Sequence, residues 1–358
     1  MGICRTTKKR CSDITKIEKI SPTGADKLLA CPARFSFNRQ GTRDFIPRDA
    51  RNFNISEQTG PLFDGRVIHS CIENLLKGES DFHLAWEKSF EKHASDTSSI
   101  SKALLLKKRL LEKRFPELRD FISQRKQTHT KEVEIEKILT ADNGTLEGQL
   151  DLLLVGDSAV VLDHKSGMSN RNDPVKDSYK KQLAFYSYLV EQNYSVENIE
   201  CWIFFIREGL VQVPISKQER RELIDTVHAS VETYNQRVPN RQPANPKDSN
   251  CSWCEHCGEC DDFWEGIERG ALNAISSGEA ISGVILDGVV SARNGKSTFR
   301  VDVRQGTRKG NLVLQEVPTY LLNENELSSG KSLKAFRLFR KDDNETLIWR
   351  QGRSQLSS

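Results

Sequence analysis

The chain has 358 residues, of which 37% are hydrophobic and 29% are charged, with 53 Lys and Arg against 50 Asp and Glu. At about 100 to 200 residues per domain, this length predicts two or three domains that each bury a core. No apolar run reaches the roughly 18 residues of a membrane-spanning helix, so integral membrane proteins are excluded, as are collagen-like and wholly disordered chains. No apolar segment follows the first basic residues as it would in a secretory signal, so we expect a cytoplasmic protein with no membrane partner.

The net charge of +3 is unevenly distributed along the chain. Residues 1–20 carry +4 and residues 281–358 carry +5, so the residues between them carry a net −6. Basic ends around an acidic body favour a protein that contacts phosphate backbones with its periphery and holds cations at its centre. Alternatively, the ends are a solvated tail and a mildly basic domain.

The first 130 residues predict a basic arm followed by helices. Residues 1–20 lack apolar periodicity and are expected to form a flexible arm. A Ser-Pro start at Ser21, followed by apolar residues at helical spacing, predicts a helix within SPTGADKLLACPARFSFN. Residues 65–77 carry the apolar stripe of a second helix, and residues 80–130 predict further helices rich in Lys and Leu.

Between residues 132 and 165 the apolar period changes from helical to two, which predicts strands. The runs LEGQLDLLLVG and AVVLDHK are joined by a short Gly-Asp-Ser turn, as in a strand pair. An amphipathic helix, KDSYKKQLAFYSYLVEQ, and a further buried strand, ENIECWIFFI, follow them. This order of elements predicts a mixed α/β core.

Residues 280–352 contain five short β-rich runs separated by turn residues, which predict a small OB-like β-barrel. This region mixes basic with aromatic residues, namely Arg300, Arg304, Arg308, Lys309, Arg337, Arg340 and Lys341 with Phe299, Phe336, Phe339 and Trp349. Such a mixture is typical of surfaces that bind single-stranded nucleic acid, because bases stack on rings while phosphates pair with cations. Alternatively, the aromatic side chains fill the core of the barrel.

Two carboxylates and a lysine form the strongest chemical signal. Asp163 and Lys165 are two residues apart on a predicted strand, so they project from one face while His164 points away. Asp151 lies on the preceding strand and would approach Asp163 if the two strands pair. Two carboxylates beside a lysine favour a Mg²⁺ or Mn²⁺ site for phosphodiester hydrolysis, in which the lysine orients the attacking water.

The alternative is a salt bridge on a solvated strand face. It is weakened because the apolar residues of both strands predict burial on both faces, and a buried charge needs a partner or a metal. These residues are Leu153, Leu154, Val160, Val161 and Leu162.

Four motifs in this order resemble the RecB-type branch of the PD-(D/E)XK nucleases. They are G-x-x-x-H at residues 65–69, G-x-x-D at 148–151, D-x-K-S-G at 163–167 and Q-L-x-x-Y at 182–186. The resemblance covers residues 21 to 260. It implies a restriction-endonuclease-like mixed sheet flanked by helices, within a nuclease domain of residues 21–265 that has a cysteine cluster at its C-terminal end.

The resemblance also implies roles for individual residues. His69, Asp151 and Asp163 would be metal ligands, with the backbone carbonyl of His164 as a further one, and Lys165 would assist the attacking water. Gln182 and Tyr186 would position DNA, since they lie one helical turn apart. On its own, His69 on an amphipathic helix would more often be a structural residue. Glu134 supports the metal shell or belongs to a solvated edge, and we exclude it from the catalytic set.

Nine cysteines in a cytoplasmic chain favour metal or redox chemistry over disulfides. Four of them crowd into CSWCEHCGEC, at Cys251, Cys254, Cys257 and Cys260. Four thiolates could bind Zn²⁺, although zinc ribbons join two separated CxxC pairs. Alternatively, Cys31 joins Cys251, Cys254 and Cys260 in a pattern that resembles the iron–sulfur nucleases of the same branch, including CRISPR-adaptation and AddB-like nucleases.

We favour the 4Fe-4S cluster that this second pattern implies. Joining Cys31 to Cys251 would close a loop of about 220 residues, which by loop-closure arithmetic contributes on the order of 5 kcal/mol. Cys257 departs from the pattern and is either a spare thiol or an alternative ligand.

These features together predict a metal-dependent DNA nuclease that acts on single strands or duplex ends in repair, recombination or defence. The alternative is a DNA-binding or scaffold subunit that works beside a helicase with weak or no cleavage. A zinc-dependent regulator would leave the aspartates unexplained. The sequence contains no GxxxxGK[ST] motif, so any unwinding would need a helicase or ATPase partner.

Overall fold

The structure, a computed structural model, describes residues 14–39, 61–94, 101–128, 130–167, 175–251, 254, 256–272, 278–286, 289–291, 294–341, 345–349 and 354–357. The chain divides into two compact units. The sheet unit comprises Lys16–Leu29 and Phe53–Gln236, and the barrel unit comprises Met1–Thr15, Ala30–Asn52 and Arg237–Ser358. Within the described ranges no helix is both long enough and apolar enough to cross a bilayer.

Helices dominate the described part of the chain up to Thr128, and strands alternate with helices after it. The elements up to Arg237 are α1 Pro22–Ala30, α2 Pro32–Arg39, α3 Pro61–Leu76, α4 Phe82–His93, α5 Lys102–Thr128, β1 Thr130–Ala141, β2 Leu146–Gly156, β3 Ala159–Lys165, α6 Asp177–Asn193, β4 Ile199–Phe205, β5 Gly209–Gln212 and α7 Lys217–Arg237.

The five strands of the sheet unit form a mixed sheet in the order β1-β2-β3-β4-β5. β1, β2 and β3 are an antiparallel meander, and β5 is antiparallel to β4. β3 and β4 are parallel. Helix α6, which lies between them in the sequence, returns the chain to the end of the sheet at which β3 begins. The mixed α/β core predicted from the strand pattern is confirmed.

The central strands are buried on both faces. Leu152, Leu154 and Leu162 pack in one core cluster with residues of α3, α4 and α5. The alternate residues Leu153 and Val161 are also buried, and they face the opposite side of the sheet by the period of a strand. This continuous apolar pattern explains why the strands lie in the middle of the unit.

Helix α6 packs closely against β2 at Gly148. A Cβ atom at this position would lie 2.9 Å from both Leu189 Cδ1 and Tyr186 Cε1 of α6. A glycine is therefore required for the close approach of helix and strand, and it brings Tyr186 and its neighbours on α6 to the end of the sheet that carries Asp151.

The predicted helix from Ser21 is two helices, α1 and α2, which are separated at Cys31. Pro32 causes the break, because its ring disfavours helical dihedrals at the preceding residue and it has no N–H to donate. The separation leaves the Cys31 side chain at a junction between helices instead of inside one.

The end of the predicted flexible arm is packed. Ile17 and Ile20 are buried, and the Ile17 N–H donates to Asn235 Oδ1 at 2.7 Å. The Ile20 N–H donates to the carbonyl oxygen of Thr145 at 2.8 Å, so this segment pairs with the start of β2. The rest of the arm, residues 1–13, lies outside the described residues.

The barrel unit contains a short helical cysteine segment followed by strands. Its further elements are α8 Asp248–Cys251, a 3-10 turn Cys257–Glu259, α9 Asp261–Glu268, β6 Glu279–Ile285, β7 Val290–Ser291, β8 Lys296–Gly306, β9 Gly310–Pro318, α10 Thr319–Glu324, β10 Ser332–Arg340, β11 Thr346–Ile348 and β12 Gln355–Ser357.

Five of these strands close into a barrel, which confirms the five predicted strands. Hydrogen bonding runs β6-β8-β9-β11-β10 and returns to β6, with β7 and β12 added at the margins. Every pairing in the ring is antiparallel except that between β9 and β11.

Two of the four aromatic residues of this region, Phe299 and Trp349, belong to the barrel core, and a third, Phe336, packs against the cysteine segment. Phe299, Phe336 and Trp349 are buried, whereas Phe339 is partly exposed. The strand period accounts for this result on β8, where Phe299 faces inward with Val301 and Val303 while the arginines alternate with them. Of the two alternatives for the aromatic residues, filling of the barrel core therefore holds for Phe299 and Trp349.

Candidate active site

The predicted catalytic residues of the sheet unit converge where β2 and β3 separate. The ladder between these strands runs from Val155 opposite Ala159 to Leu152 opposite Leu162 and then stops. The next residues, Asp151 and Asp163, therefore lie at the point of separation. Helix α3 approaches the same point, since a Cβ atom at Gly65 would lie 3.5 Å from Ser166 Oγ, an ordinary contact distance.

Asp163 and Lys165 form a buried ion pair on one face of β3, as the strand period predicted. Lys165 Nζ lies 2.6 Å from Asp163 Oδ2, and Asp163 is only 3% exposed. Since neither charge has much access to water, each depends on the other for its solvation.

The lysine is held by further contacts on α6. Lys165 Nζ donates to Gln182 Oε1 at 3.0 Å, and Gln182 Nε2 donates to the Tyr186 hydroxyl at 3.0 Å. Its ammonium group also lies over the ring of Tyr179, 5.0 Å from the centroid. Gln182 and Tyr186 thus lie at the site and fix the position of the ammonium group.

Asp151 is oriented by the backbone of the neighbouring strand. The His164 N–H, beyond the end of the ladder, donates to Asp151 Oδ2 at 2.6 Å. The same oxygen lies 3.7 Å from Nδ1 of His69 and 3.7 Å from Nδ1 of His164. Each of these residues has a possible ligand atom within 4.8 Å of the others, and no other group of three His, Cys, Asp or Glu residues does so among the described residues.

The His164 side chain lies on the opposite face of β3 from Asp163 and Lys165, as the alternation of a strand predicts. The strand pattern did not predict that His69 of α3 lies beside it. The two imidazole centroids are 5.9 Å apart. Asp163 is not part of the compact group of three, because its carboxylate is paired with Lys165 instead.

Burial controls the protonation of the site. Burial and the negative charge of Asp151 raise the pKa of Asp163 to about 6, against the opposing effect of Lys165. Burial and the neighbouring His69 lower the pKa of His164 to about 3, so this imidazole is neutral at physiological pH. Burial also raises the pKa of Tyr186, which keeps its hydroxyl protonated.

The glutamates of β1 differ from one another. Glu134 lies 2.6 Å from Lys137 Nζ and accepts from the Tyr194 hydroxyl at 3.2 Å, so its contacts are structural. Burial and the charge of Asp151 raise the pKa of Glu136 to about 6. Gln149 Nε2 donates to this carboxylate at 2.7 Å. None of the sequence motifs includes Glu136, so only the folded chain reveals its electrostatic link to Asp151.

The donor set fits a divalent cation. Carboxylate oxygens suit Mg²⁺ and Mn²⁺, and imidazole nitrogens suit first-row transition metals. The two carboxylates, with one lysine close to them, leave negative charge that a cation would compensate. His69 and Asp151 remain partly accessible, with side-chain exposures of 34% and 12%, so an ion can reach them from solvent.

The cysteine group lies in the barrel unit. Cys31, Cys251, Cys254, Cys257 and Cys260 line one pocket, together with residues that include Arg34, Phe37 and His256. Cys31 reaches it because α2 is hydrogen-bonded to the loop before α8: the Ala33 N–H donates to the Pro243 carbonyl at 3.0 Å, and the Asn245 N–H donates to Cys31 Sγ at 3.4 Å.

Cys257 lies among the other thiols instead of apart from them. It is buried, its thiol donates to the Cys251 carbonyl at 3.4 Å, and its hydrogen bond to Cys254 lowers the pKa of that thiol to about 6. Burial raises the pKa of Cys260 to about 12.

The cysteine segment also shares a core with the barrel. Phe263 and Trp264 of α9 pack with Ala280 of β6 and Phe336 of β10. Lys334 Nζ of β10 donates to the Gly258 carbonyl at 3.1 Å and lies 5.4 Å from the centroid of the Trp264 ring. The segment therefore depends on barrel residues for part of its packing.

Comparison with known proteins bears on the same residues. Two crystal structures are similar to this chain. The "Putative exonuclease" of Eubacterium rectale has a TM-score of 0.43 and 14% sequence identity, and the match covers 73% of this chain and 93% of that one. SSO0001 has a TM-score of 0.26 and 14% sequence identity, and the match covers 62% of this chain and 96% of that one. No curated protein matches the chain. A family model described as the PD-(D/E)XK nuclease superfamily matches residues 19–261, a range that includes every site residue described above. The chain therefore belongs to the PD-(D/E)XK nuclease superfamily.

Proposed function

We propose that the protein is a metal-dependent deoxyribonuclease that hydrolyses phosphodiester bonds of single-stranded DNA or duplex ends. Repair, recombination or defence against foreign DNA would use such an activity. The observation that carries the proposal is the buried Asp163–Lys165 pair beside Asp151, with Gln182 holding the lysine. A scaffold subunit that no longer cleaves DNA would have no use for this costly arrangement.

His69, Asp151, Asp163 and the backbone carbonyl of His164 would hold Mg²⁺ or Mn²⁺. Such a cation neutralises the charge that develops on the phosphate and makes water more acidic. The residues meet the requirement for oxygen-rich coordination because both carboxylates lie where β2 and β3 separate.

Lys165 would orient the attacking water. Its ammonium group is fixed by Asp163 and Gln182 and stabilises hydroxide by charge. Tyr186 fixes Gln182 in turn, so the two α6 residues keep the ammonium group in one place while DNA is bound. Positioning of this kind lowers the entropic part of the barrier.

We propose that Cys31, Cys251, Cys254 and Cys260 hold a 4Fe-4S cluster, with Cys257 next to it. Cys31 lines the same pocket as the three late cysteines, as the four-cysteine pattern of the iron–sulfur nucleases requires, whereas a zinc site within the CSWCEHCGEC segment would not need Cys31. Retained thiols of this number also support a reducing, cytoplasmic location.

We propose further that the barrel is OB-like and binds single-stranded DNA. Numbered along the chain, its five strands follow the closed order 1-2-3-5-4, and α10 lies between the third and fourth. An OB-fold is a five-stranded Greek-key barrel that binds oligonucleotides on its second and third strands. Arg300 and Arg304 are exposed on the second strand, β8. Because Phe299, Phe336 and Trp349 are buried, DNA binding would depend mainly on charge.

Removing either half of the ion pair is expected to abolish cleavage. Lys165→Ala and Asp163→Ala should each lower the rate of Mn²⁺-dependent cleavage of labelled single-stranded DNA by at least about 100-fold, because water orientation and metal binding are lost. Lys131→Ala is the matched control, since Lys131 forms an exposed pair with Asp157 at 2.9 Å. If wild type and both variants were equally inert on every substrate, the scaffold alternative would be favoured, and a helicase partner would be sought.

The ionised Asp163 carboxylate is expected to destabilise the folded protein above neutral pH. Its folded pKa of about 6 lies above the ordinary value of 3.8, so its contribution is most favourable below pH 4 and is lost as the pH rises through 6. In the presence of a metal chelator, Asp163→Asn should therefore have a free energy of unfolding higher than that of the wild type at pH 8, by up to about 3 kcal/mol. This difference should vanish at pH 4.

Urea unfolding of the metal-free protein measures this difference. Asp157→Asn, in an exposed turn, is the control for the loss of a carboxylate at the surface. A less stable Asp163→Asn at pH 8 would mean that the ion pair outweighs the burial of the carboxylate.

Protein purified without oxygen is expected to be brown and to contain iron and sulfide. Cys31→Ser and Cys260→Ser should lose both, while Cys201→Ser, a buried thiol of β4 outside the pocket, should retain them. Iron analysis and visible absorbance measure the outcome. A colourless protein with one equivalent of zinc would refute the cluster, and iron loss in Cys257→Ser would make Cys257 a ligand.

Reversing the charge of the barrel arginines is expected to weaken DNA binding. The double variant Arg300→Glu/Arg304→Glu should bind labelled single-stranded DNA less tightly, and its affinity should depend less steeply on salt, by about 0.7 in the log–log slope for each phosphate that the variant fails to neutralise. Arg119→Glu, an exposed arginine of α5, is the control. Fluorescence anisotropy at several salt concentrations measures both quantities. If the affinity and the salt slope were unchanged, this face of β8 would be excluded as a DNA-binding surface.

A further inference from the structure

Two imidazole rings lie close to the same carboxylate oxygen, Asp151 Oδ2. Nδ1 of His69, from α3, and Nδ1 of His164, from β3, each lie 3.7 Å from Asp151 Oδ2. The backbone N–H of His164 fixes that oxygen at 2.6 Å. The three residues therefore form one preorganised group, although they are far apart in the sequence.

The spacing of this group suits one metal ion. With metal–ligand bonds of about 2.1 Å, neighbouring ligand atoms lie about 3.0 Å apart in octahedral coordination and about 3.4 Å apart in tetrahedral coordination. The observed 3.7 Å exceeds these values by less than about 1 Å. Small rotations of the side chains would bring all three atoms onto a common ion.

The His164 side chain has no other visible use. It is buried, its Nε2 atom has no hydrogen-bond partner among the described residues, and its ring contacts His69 and Phe204. An apolar side chain would fill this strand position without burying two ring nitrogens, of which Nδ1 is the one close to the Asp151 carboxylate and Nε2 would carry the ring proton when Nδ1 binds a metal. Its Nδ1 atom lies beside the Asp151 carboxylate, so a nitrogen and an oxygen donor are available to one metal ion.

We propose that the His164 imidazole, together with His69 and Asp151, is a ligand of the divalent cation. The site thereby prefers a first-row transition cation such as Mn²⁺ over Mg²⁺. This inference rests on the proposed function, in which only the backbone carbonyl of His164 contacts the ion. Nitrogen donors discriminate between the two cations because Mg²⁺ prefers an all-oxygen shell, whereas transition metals accept imidazole.

Mn²⁺ titration of the full-length protein, followed by EPR, tests the proposal. His164→Gln and His164→Phe should each weaken Mn²⁺ binding by at least about 10-fold, while the concentration of Mg²⁺ that competes for the site changes much less. His228→Gln is the matched control, because His228 pairs with Asp142 at 2.6 Å elsewhere in the sheet unit. Unchanged Mn²⁺ affinity in both His164 variants would refute the proposal.

Pulsed EPR of Mn²⁺ on the wild-type protein gives a second readout that needs no substitution. Coupling to nitrogen nuclei of two imidazoles is expected, and coupling to one alone would overturn the role of His164 even if both variants failed to fold. Cleavage of DNA is scored separately. A wild type that cleaves DNA with one bound imidazole refutes this inference alone, whereas a wild type that neither binds Mn²⁺ nor cleaves DNA refutes the proposed function as well.

Discussion

The buried pairing of Asp163 with Lys165 is the interaction on which the arrangement of the site depends. A carboxylate at 3% exposure has lost nearly all its water, and Lys165 supplies the compensating charge at 2.6 Å. The lysine is in turn held by Gln182, and α6 can bring Gln182 to the strand because β2 carries a glycine at position 148. The pKa of Asp163 remains above its ordinary value, so the charge of Lys165 does not fully offset the effect of burial on the carboxylate.

The geometry of the sheet explains why this pair has catalytic neighbours. Antiparallel pairing of β2 with β3 stops after Leu152 and Leu162, which leaves the His164 N–H without a backbone partner on β2. The Asp151 carboxylate accepts that hydrogen bond. The end of the ladder thus fixes the second carboxylate where the two strands separate, and α3 brings His69 close to it.

The two compact units divide the chemistry of the chain. The sheet unit contains the residues proposed for hydrolysis, whereas all five cysteines of the pocket and the β-barrel belong to the barrel unit. Along the sequence, Cys31 precedes most of the sheet unit and the other four cysteines follow it. A group bound by these thiols would therefore link residues that precede and follow the sheet in the sequence. The later of these cysteines belong to the segment that packs on the barrel.

Local pattern alone determines much of this protein. Alternation in AVVLDHK is enough to place Asp163 and Lys165 on one face, since side-chain direction in a strand follows from position alone. The five barrel strands and the helix carrying Gln182 and Tyr186 also follow from periodicity and turns. The motif order identifies the remaining candidates, His69 and Asp151, because it reflects a family and not a local preference.

Only the folded chain decided which side chains meet. Nothing in residues near His164 indicates that its imidazole shares an oxygen with His69, because that contact depends on how a distant helix packs on the sheet. The same is true of Glu136, of the break at Cys31 that frees its thiol, and of the aromatic residues that face the barrel core. Periodicity specifies the face on which a side chain lies, whereas packing between elements specifies what that face contacts.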